Sequence, residues 1–176
     1  MIFEPTAIPG VVEVLLQPQG DDRGSFARTY CEATFRAHGL EPVGVQGNIS
    51  VNARRGTLRG LHFQAPPAEE AKLVRCVRGR MFDVAVDLRV DSPTFRQWTS
   101  VELDGDRGNA LYIPRGCAHG FLTLVDDTIA DYRMGAVYVA ELARGVRWND
   151  PAFAIAWPFA PLHISERDAS FPDFRP

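Results

Sequence analysis

Between Met81 and Arg89 the chain changes character at every residue. Phe82, Val84, Val86 and Leu88 alternate with Met81, Asp83, Ala85, Asp87 and Arg89. A strict two-residue period does not fit a helix, whose apolar stripe recurs every three or four positions; it describes a β-strand with two unlike faces. Lys72–Arg78 reads as the preceding strand, joined to it through Gly79. Further short strands are expected at Ala110–Ile113 and at residues 11–16, 43–51, 98–103, 119–124 and 129–134. Turn chemistry separates them, as in Asp21-Asp22-Arg23-Gly24, Asp91-Ser92-Pro93, Asp104-Gly105-Asp106 and Pro114-Arg115-Gly116. Only residues 32–38 look helical, with Gly39 placed as a C-terminal cap, and a second short helix is expected near the C-terminus. Many short strands with almost no helix predict an all-β fold, a β-sandwich or jelly-roll barrel.

The length of 176 residues suits one domain spanning 1–176, with neither a linker nor a repeat. The 13 prolines are spread along the chain, and the turn-rich stretch 158–176 is expected to wrap over the barrel. A net charge of −3 argues against a non-specific nucleic-acid surface, so an anionic ligand would have to be met by local arginines. Cys31, Cys76 and Cys117 are odd in number and far apart, which argues against a disulfide framework and fits a reducing compartment. The start, Met1-Ile2-Phe3-Glu4-Pro5, lacks the basic and apolar regions of a signal peptide, and no stretch is long enough to span a membrane. A cytoplasmic location is expected.

Four histidines are present: His38, His62, His119 and His163. His62 and His119 lie on expected strands, in Gly60-Leu61-His62 and Cys117-Ala118-His119-Gly120, and strands of a barrel can aim side chains into its interior. An imidazole titrates near neutral pH and can serve as a base where a carboxylate orients it. A core histidine bonded to backbone is the alternative, and it suffices for His38 and His163. A metal site is a weaker competitor. No H-x-H pair exists, because position 60 is glycine and position 64 glutamine, although His62, His119 and one acid would still satisfy the donor chemistry. Arg54, Arg55 and Arg59 cluster before His62, and Arg23 sits in a glycine turn; their forks suit the oxygens of a diphosphate. Lys72 stands alone as the single lysine against 18 arginines. A compact ammonium and a planar guanidinium are not interchangeable, which singles Lys72 out.

Taken in order, Arg59-Gly60-Leu61-His62-Phe63-Gln64, Lys72-Leu73-Val74-Arg75-Cys76, Phe82-Asp83-Val84-Ala85-Val86-Asp87, Ser92-Pro93-Thr94-Phe95, Ile113-Pro114-Arg115-Gly116-Cys117-Ala118-His119-Gly120-Phe121 and Arg147-Trp148-Asn149-Asp150 resemble dTDP-4-dehydrorhamnose 3,5-epimerases. The likeness extends to Asp22-Arg23-Gly24 and to Ser165-Glu166-Arg167-Asp168. It implies a cupin-type jelly roll with one or two short helices, a homodimer, no metal and no cofactor. The implied substrate is a nucleoside-diphosphate 4-keto-6-deoxyhexose, inverted at C3, C5 or both. In that scheme His62 is the general base, oriented by Asp168, and Tyr132 is the opposing acid. Lys72 stabilises the enolate oxygen, and Arg23 and Arg59 hold the diphosphate. Gln46, Asn48, His119 and Tyr138 line the site. Departures from many relatives cluster near the substrate: Arg28 stands for an acid, Ile49 for a histidine and Arg133 for a lysine.

Overall fold

A computed structural model describes residues 1–175. In chain order the strands are β1 (Ile2–Pro5), β2 (Val12–Leu15), β3 (Gln19–Asp21), β4 (Gly24–Phe26), β5 (Gln46–Asn52), β6 (Thr57–Gln64), β7 (Lys72–Arg78), β8 (Arg80–Asp87), β9 (Trp98–Asp104), β10 (Ala110–Ile113), β11 (Cys117–Thr123), β12 (Thr128–Met134), β13 (Ala143–Gly145) and β14 (His163–Ile164). Two short helices, α1 (Glu32–Ala37) and α2 (Glu166–Ala169), complete the architecture. One sheet runs β1-β2-β10-β7-β12-β5, the other β13-β6-β11-β8-β9, with β14 also on β6; β3 and β4 form a separate hairpin. Pairing is antiparallel except between β14 and β6. This is the jelly roll expected from the strand pattern.

The alternation in β8 has an outcome that periodicity alone does not give, because both faces are buried. Met81 and Ala85 join Val74, Leu111, Phe121 and Ala130 in the core between the sheets. Val84 and Val86 enter a second cluster, with Leu61, Ala118 and Phe153, which the C-terminal part of the chain covers through Ile155, Trp157 and Phe174. Of the stretch 158–176 expected to wrap over the barrel, Phe174 joins this cover and β14 pairs with β6, whereas Ile155 and Trp157 precede it. A third cluster lies under α1, where Phe35 is fully buried against Tyr112 and Leu73. Burying a side chain of that size contributes about 2–3 kcal/mol, which is how so short a helix is retained.

The expected strand at 43–51 begins later, at Gln46. The backbone N–H groups of Gly44 and Val45 both end on the carbonyl of Met134, so the regular ladder with β12 starts only beyond them. Gly39 follows α1 with φ of 72°, the left-handed cap its position suggested.

At the end of β8, Asp87 anchors the loop to β9. Its carboxylate accepts from Arg89 Nε and Nη2 (both 2.8 Å), Ser92 Oγ (2.5 Å) and Thr94 Oγ1 (2.7 Å). Burial would raise its pKa, but these donors outweigh it and hold the group at about 2. The folded value lies below the unfolded one, so the stabilisation is present above about pH 4 and is lost as pH falls through the folded value. Asp87→Asn is expected to cost about 2 kcal/mol near neutrality. In urea titrations the gap to the parent chain should close in acid; a gap unchanged at low pH would remove the carboxylate from this role.

Candidate active site

The motif Arg59-Gly60-Leu61-His62 forms half of β6, and its glycine has a steric cause. Gly60 has φ of 127°, and a Cβ there would lie 2.5 Å from Gly120 Cα on β11. Only a side-chain-free residue lets the two strands approach so closely. Two residues further on, His62 and His119 are direct cross-strand partners. Both line a cavity of about 450 Å³ to which the two sheets contribute: His62 and His119 from one, Lys72 and Tyr132 from the other.

Each histidine has its own carboxylate. His62 Nε2 lies 2.7 Å from Asp168 Oδ1, and Gly60 N donates to Asp168 Oδ2 at 3.1 Å. Asp168 comes from α2, where Ser165 caps the helix by accepting from its backbone N–H. Burial would raise the Asp168 pKa, but the His62 hydrogen bond and charge, with help from Gly60 and Ser165, hold it below the usual carboxylate range. The His62 side chain is 42% exposed, so its ring reaches the cavity while the buried aspartate fixes its far nitrogen. His119 Nε2 lies 2.8 Å from Asp83 Oδ1, and both are buried. Burial pushes the Asp83 carboxyl up, against the opposing influence of His119 and Lys72, and its Oδ2 has no hydrogen-bond partner among the described residues.

Tyr132, on the facing sheet, stands edge-on to the His119 ring at 5.9 Å. Burial and then the Asp83 charge raise the pKa of its phenol, so the hydroxyl keeps its proton. Lys72 is almost fully buried, with Nζ 3.1 Å from Glu70 Oε1 and 3.3 Å from the carbonyl of His62. An imidazole held by a carboxylate, a protonated phenol on the opposite sheet and an ammonium between them can remove a proton, return one and stabilise an oxyanion. Among the described residues no group of three His, Cys, Asp or Glu side chains is arranged to hold a metal ion, since each histidine is committed to its own aspartate.

Of the residues expected from the sequence, His62, Asp168, Tyr132, Lys72, Arg59, Asn48, His119 and Tyr138 line this cavity. Two do not. Arg23 is exposed on the β3–β4 turn, with its guanidinium on Asp21 at 2.6 Å. The hairpin forms a sheet of its own, and Arg23 is not among the residues that line the cavity. Gln46 does not line the cavity either; its Oε1 accepts from Tyr138 N at 3.1 Å and so supports a segment that does. Conversely, Glu70, Gln64 and Arg167 line the cavity without having been singled out, and Asp83 lies behind His119. Asp83 carried no usable signal, because it alternates with the apolar residues of β8 and only the structure shows its face, with Met81 and Ala85, to be buried. Arg167 had one in its adjacency to Asp168. Of the departing positions, Ile49 lines the cavity and Arg28 does not, while the Arg133 guanidinium lies over the Tyr30 ring at 5.3 Å.

The segment beyond Asp168 packs against His62. Phe171 lies edge-on to His62 at 6.1 Å, and its ring fills the place a Cβ on Gly145 would take. Phe174 packs on Phe153, while its N–H donates to Asp150 Oδ2 at 2.5 Å. Gly145→Ala must displace the Phe171 ring. It is expected to lower the thermal midpoint and to shift the imidazole N–H resonance of the His62–Asp168 hydrogen bond; an unmoved resonance would show that Phe171 does not brace the ring.

With this geometry in hand, the likeness to known proteins is specific. The sequence matches the profile of the dTDP-4-dehydrorhamnose 3,5-epimerase family over residues 5–176. It is 46% identical to a dTDP-4-dehydrorhamnose 3,5-epimerase of Sinorhizobium fredii, over 98% of this chain and 89% of that one. The crystal structure of the Bacillus anthracis dTDP-4-dehydrorhamnose 3,5-epimerase with TDP and PPi bound superposes with a TM-score of 0.94 at 39% identity, covering 98% of this chain and 99% of that one. A 3'-monoepimerase from Streptomyces bikiniensis in complex with dTDP-quinovose is also similar, with a TM-score of 0.86 at 37% identity over 97% of this chain and 86% of its own. The fold is accordingly the cupin-type jelly roll, and the chain belongs to the dTDP-4-dehydrorhamnose 3,5-epimerase family.

Proposed function

We propose that this chain is a sugar-nucleotide epimerase that inverts C3, C5 or both of a dTDP-linked 4-keto-6-deoxyhexose through an enolate. The observation that carries this reading is the disposition of His62 and Tyr132, a carboxylate-held imidazole and a protonated phenol on facing sheets of one cavity. A hydrogen on a carbon beside a ketone is acidic because the carbanion delocalises onto the carbonyl oxygen. Inversion requires its removal from one face and delivery of a proton to the other. In this reading His62 takes the proton, with Asp168 stabilising the imidazolium, and Tyr132 supplies one from the opposite side. Lys72 meets the oxygen as its charge develops. This scheme calls on neither a metal nor a cofactor.

The diphosphate would lie at the mouth, where Arg59 is held by Asn52 Oδ1 at 2.8 Å. Asn48, His119 and Tyr138 would contact the sugar or nucleotide. We read the protein as one catalytic domain, homodimeric and cytoplasmic. Three free cysteines and the want of any helix long and apolar enough to cross a membrane, among the described residues, support the location. In a homodimer the exposed β3–β4 hairpin would offer Arg23 to the diphosphate bound by the other copy.

Incubation with dTDP-4-keto-6-deoxyglucose in deuterium oxide is expected to place deuterium at C3, C5 or both, and the labelled carbon tells single from double inversion. No exchange with any 4-keto-6-deoxy sugar nucleotide would overturn the reading. His62→Ala should abolish exchange. Lys72→Arg keeps the charge but replaces a compact ammonium by a bulkier fork, and it should lose most activity without loss of fold. Arg23→Ala is expected to raise KM. Mixing it with His62→Ala should restore low-KM activity if one copy serves the other's site, because the mixed dimer holds one complete site.

A further inference from the structure

The cavity contains a carboxylate that the chemistry above leaves unused. Glu70 lies in the connection between β6 and β7, its side chain is 5% exposed, and its Oε1 is 3.1 Å from Lys72 Nζ. Nζ also lies 3.3 Å from the carbonyl oxygen of His62. An ammonium has three N–H donors. One is committed to the His62 carbonyl, while the Glu70 carboxylate faces the ammonium as a close ion pair, in the cavity that both side chains line. Glu70 is itself held in place. Gln64 Nε2 donates to its Oε2 at 2.8 Å, and Gln64 Oε1 accepts from Val139 N at 2.6 Å. Hydrogen bonds therefore run from the backbone next to Tyr138 through Gln64 to Glu70, whose carboxylate then pairs with the Lys72 ammonium.

The other acid near Lys72 does not compete for this role. Asp83 feels the Lys72 charge, but its hydrogen bond goes to His119. Lysine carries a flexible four-carbon stem, and without fixed acceptors its ammonium would sample many positions. A buried cation also needs an opposite charge close by. Glu70 supplies both.

We propose that Glu70 is a positioning residue for Lys72, compensating its charge and holding its ammonium where it meets the ketone oxygen of the substrate. The inference rests on the assignment of Lys72 above. A purely structural ion pair would matter for folding alone, whereas a positioning pair sets the rate of the chemical step.

The test is Glu70→Gln, which keeps the size and can still accept from Gln64. Deuterium exchange into the sugar nucleotide is followed under steady-state conditions, with the folded fraction set by thermal melting and active sites titrated with dTDP. The expected result is a kcat lower by roughly tenfold to a hundredfold, the scale associated with a misplaced catalytic group, at nearly unchanged KM and dTDP affinity. Gln64→Met leaves the carboxylate but removes the bond that aims it, and should lower kcat in the same direction by less. It also supplies the readout if Glu70→Gln fails to fold. Parent-like kcat in either folded variant, or a change confined to KM or to melting temperature, overturns the proposal. Lys72→Met separates the two levels. If it keeps full exchange, the assignment of Lys72 itself is wrong; if it abolishes exchange while Glu70→Gln is fully active, only the role of Glu70 falls.

Discussion

The carboxylate of Asp168 joins the two parts of the molecule that make the site. One oxygen faces the His62 ring and the other accepts the N–H of Gly60, so a single group from the C-terminal segment grips two points of β6. A carboxylate this buried is tolerated only where donors replace the water it has lost. Those donors exist because Gly60 lies against Gly120, which keeps β6 and β11 close and sets His62 opposite His119. The C-terminal wrapping therefore builds the cavity wall at His62 as well as covering the outer core. Phe171 against Gly145 and Phe174 over Phe153 hold the chain that carries Asp168.

The interior of the cavity follows one electrostatic rule, in which each buried acid has a specific cationic or ionisable partner. Asp168 faces His62, Asp83 faces His119 and Glu70 faces Lys72. In a medium of low effective dielectric, unpaired charges would be costly and pairing fixes geometry. Asp83 lies behind His119, while Asp168 and Glu70 share the cavity wall with the imidazole and the ammonium they face. Arg59 and Arg167 add permanent positive charge along the wall, where a diphosphate can be met without burying a guanidinium completely. The division of labour between one buried lysine and peripheral arginines follows from their shapes.

Much of the architecture was legible in local patterns. The period of β8 identified a strand, Gly39 ended α1 where a left-handed residue was needed, and the turn Asp21–Gly24 became the β3–β4 hairpin. Local patterns do not reveal which sheet a strand joins. β7 and β8 are separated only by Gly79, yet one belongs to each sheet. Nor do they reveal that both faces of β8 are buried, because Trp157 and Phe153, which cover its second face, lie some seventy residues away along the chain. The site was legible where ordered motifs carried it, as at His62, Lys72 and Asp168. Glu70 was not, since nothing in a loop of prolines and acids marks one glutamate as buried. Arg23 is exposed on the β3–β4 turn and is not among the residues that line the cavity of its own chain.

The sequence by itself determined that this chain is built of strands, that its cations are arginines except at Lys72, and that its motifs are those of the epimerase family. Those properties reside in residue type and spacing, which survive without coordinates. Only the folded chain shows that Asp168 also takes the N–H of Gly60, that His62 and His119 face each other across β6 and β11, and that Lys72 pairs with Glu70. Such meetings depend on how the sheets are ordered and closed, and that order is set by burial of both faces at once rather than by any local run of residues.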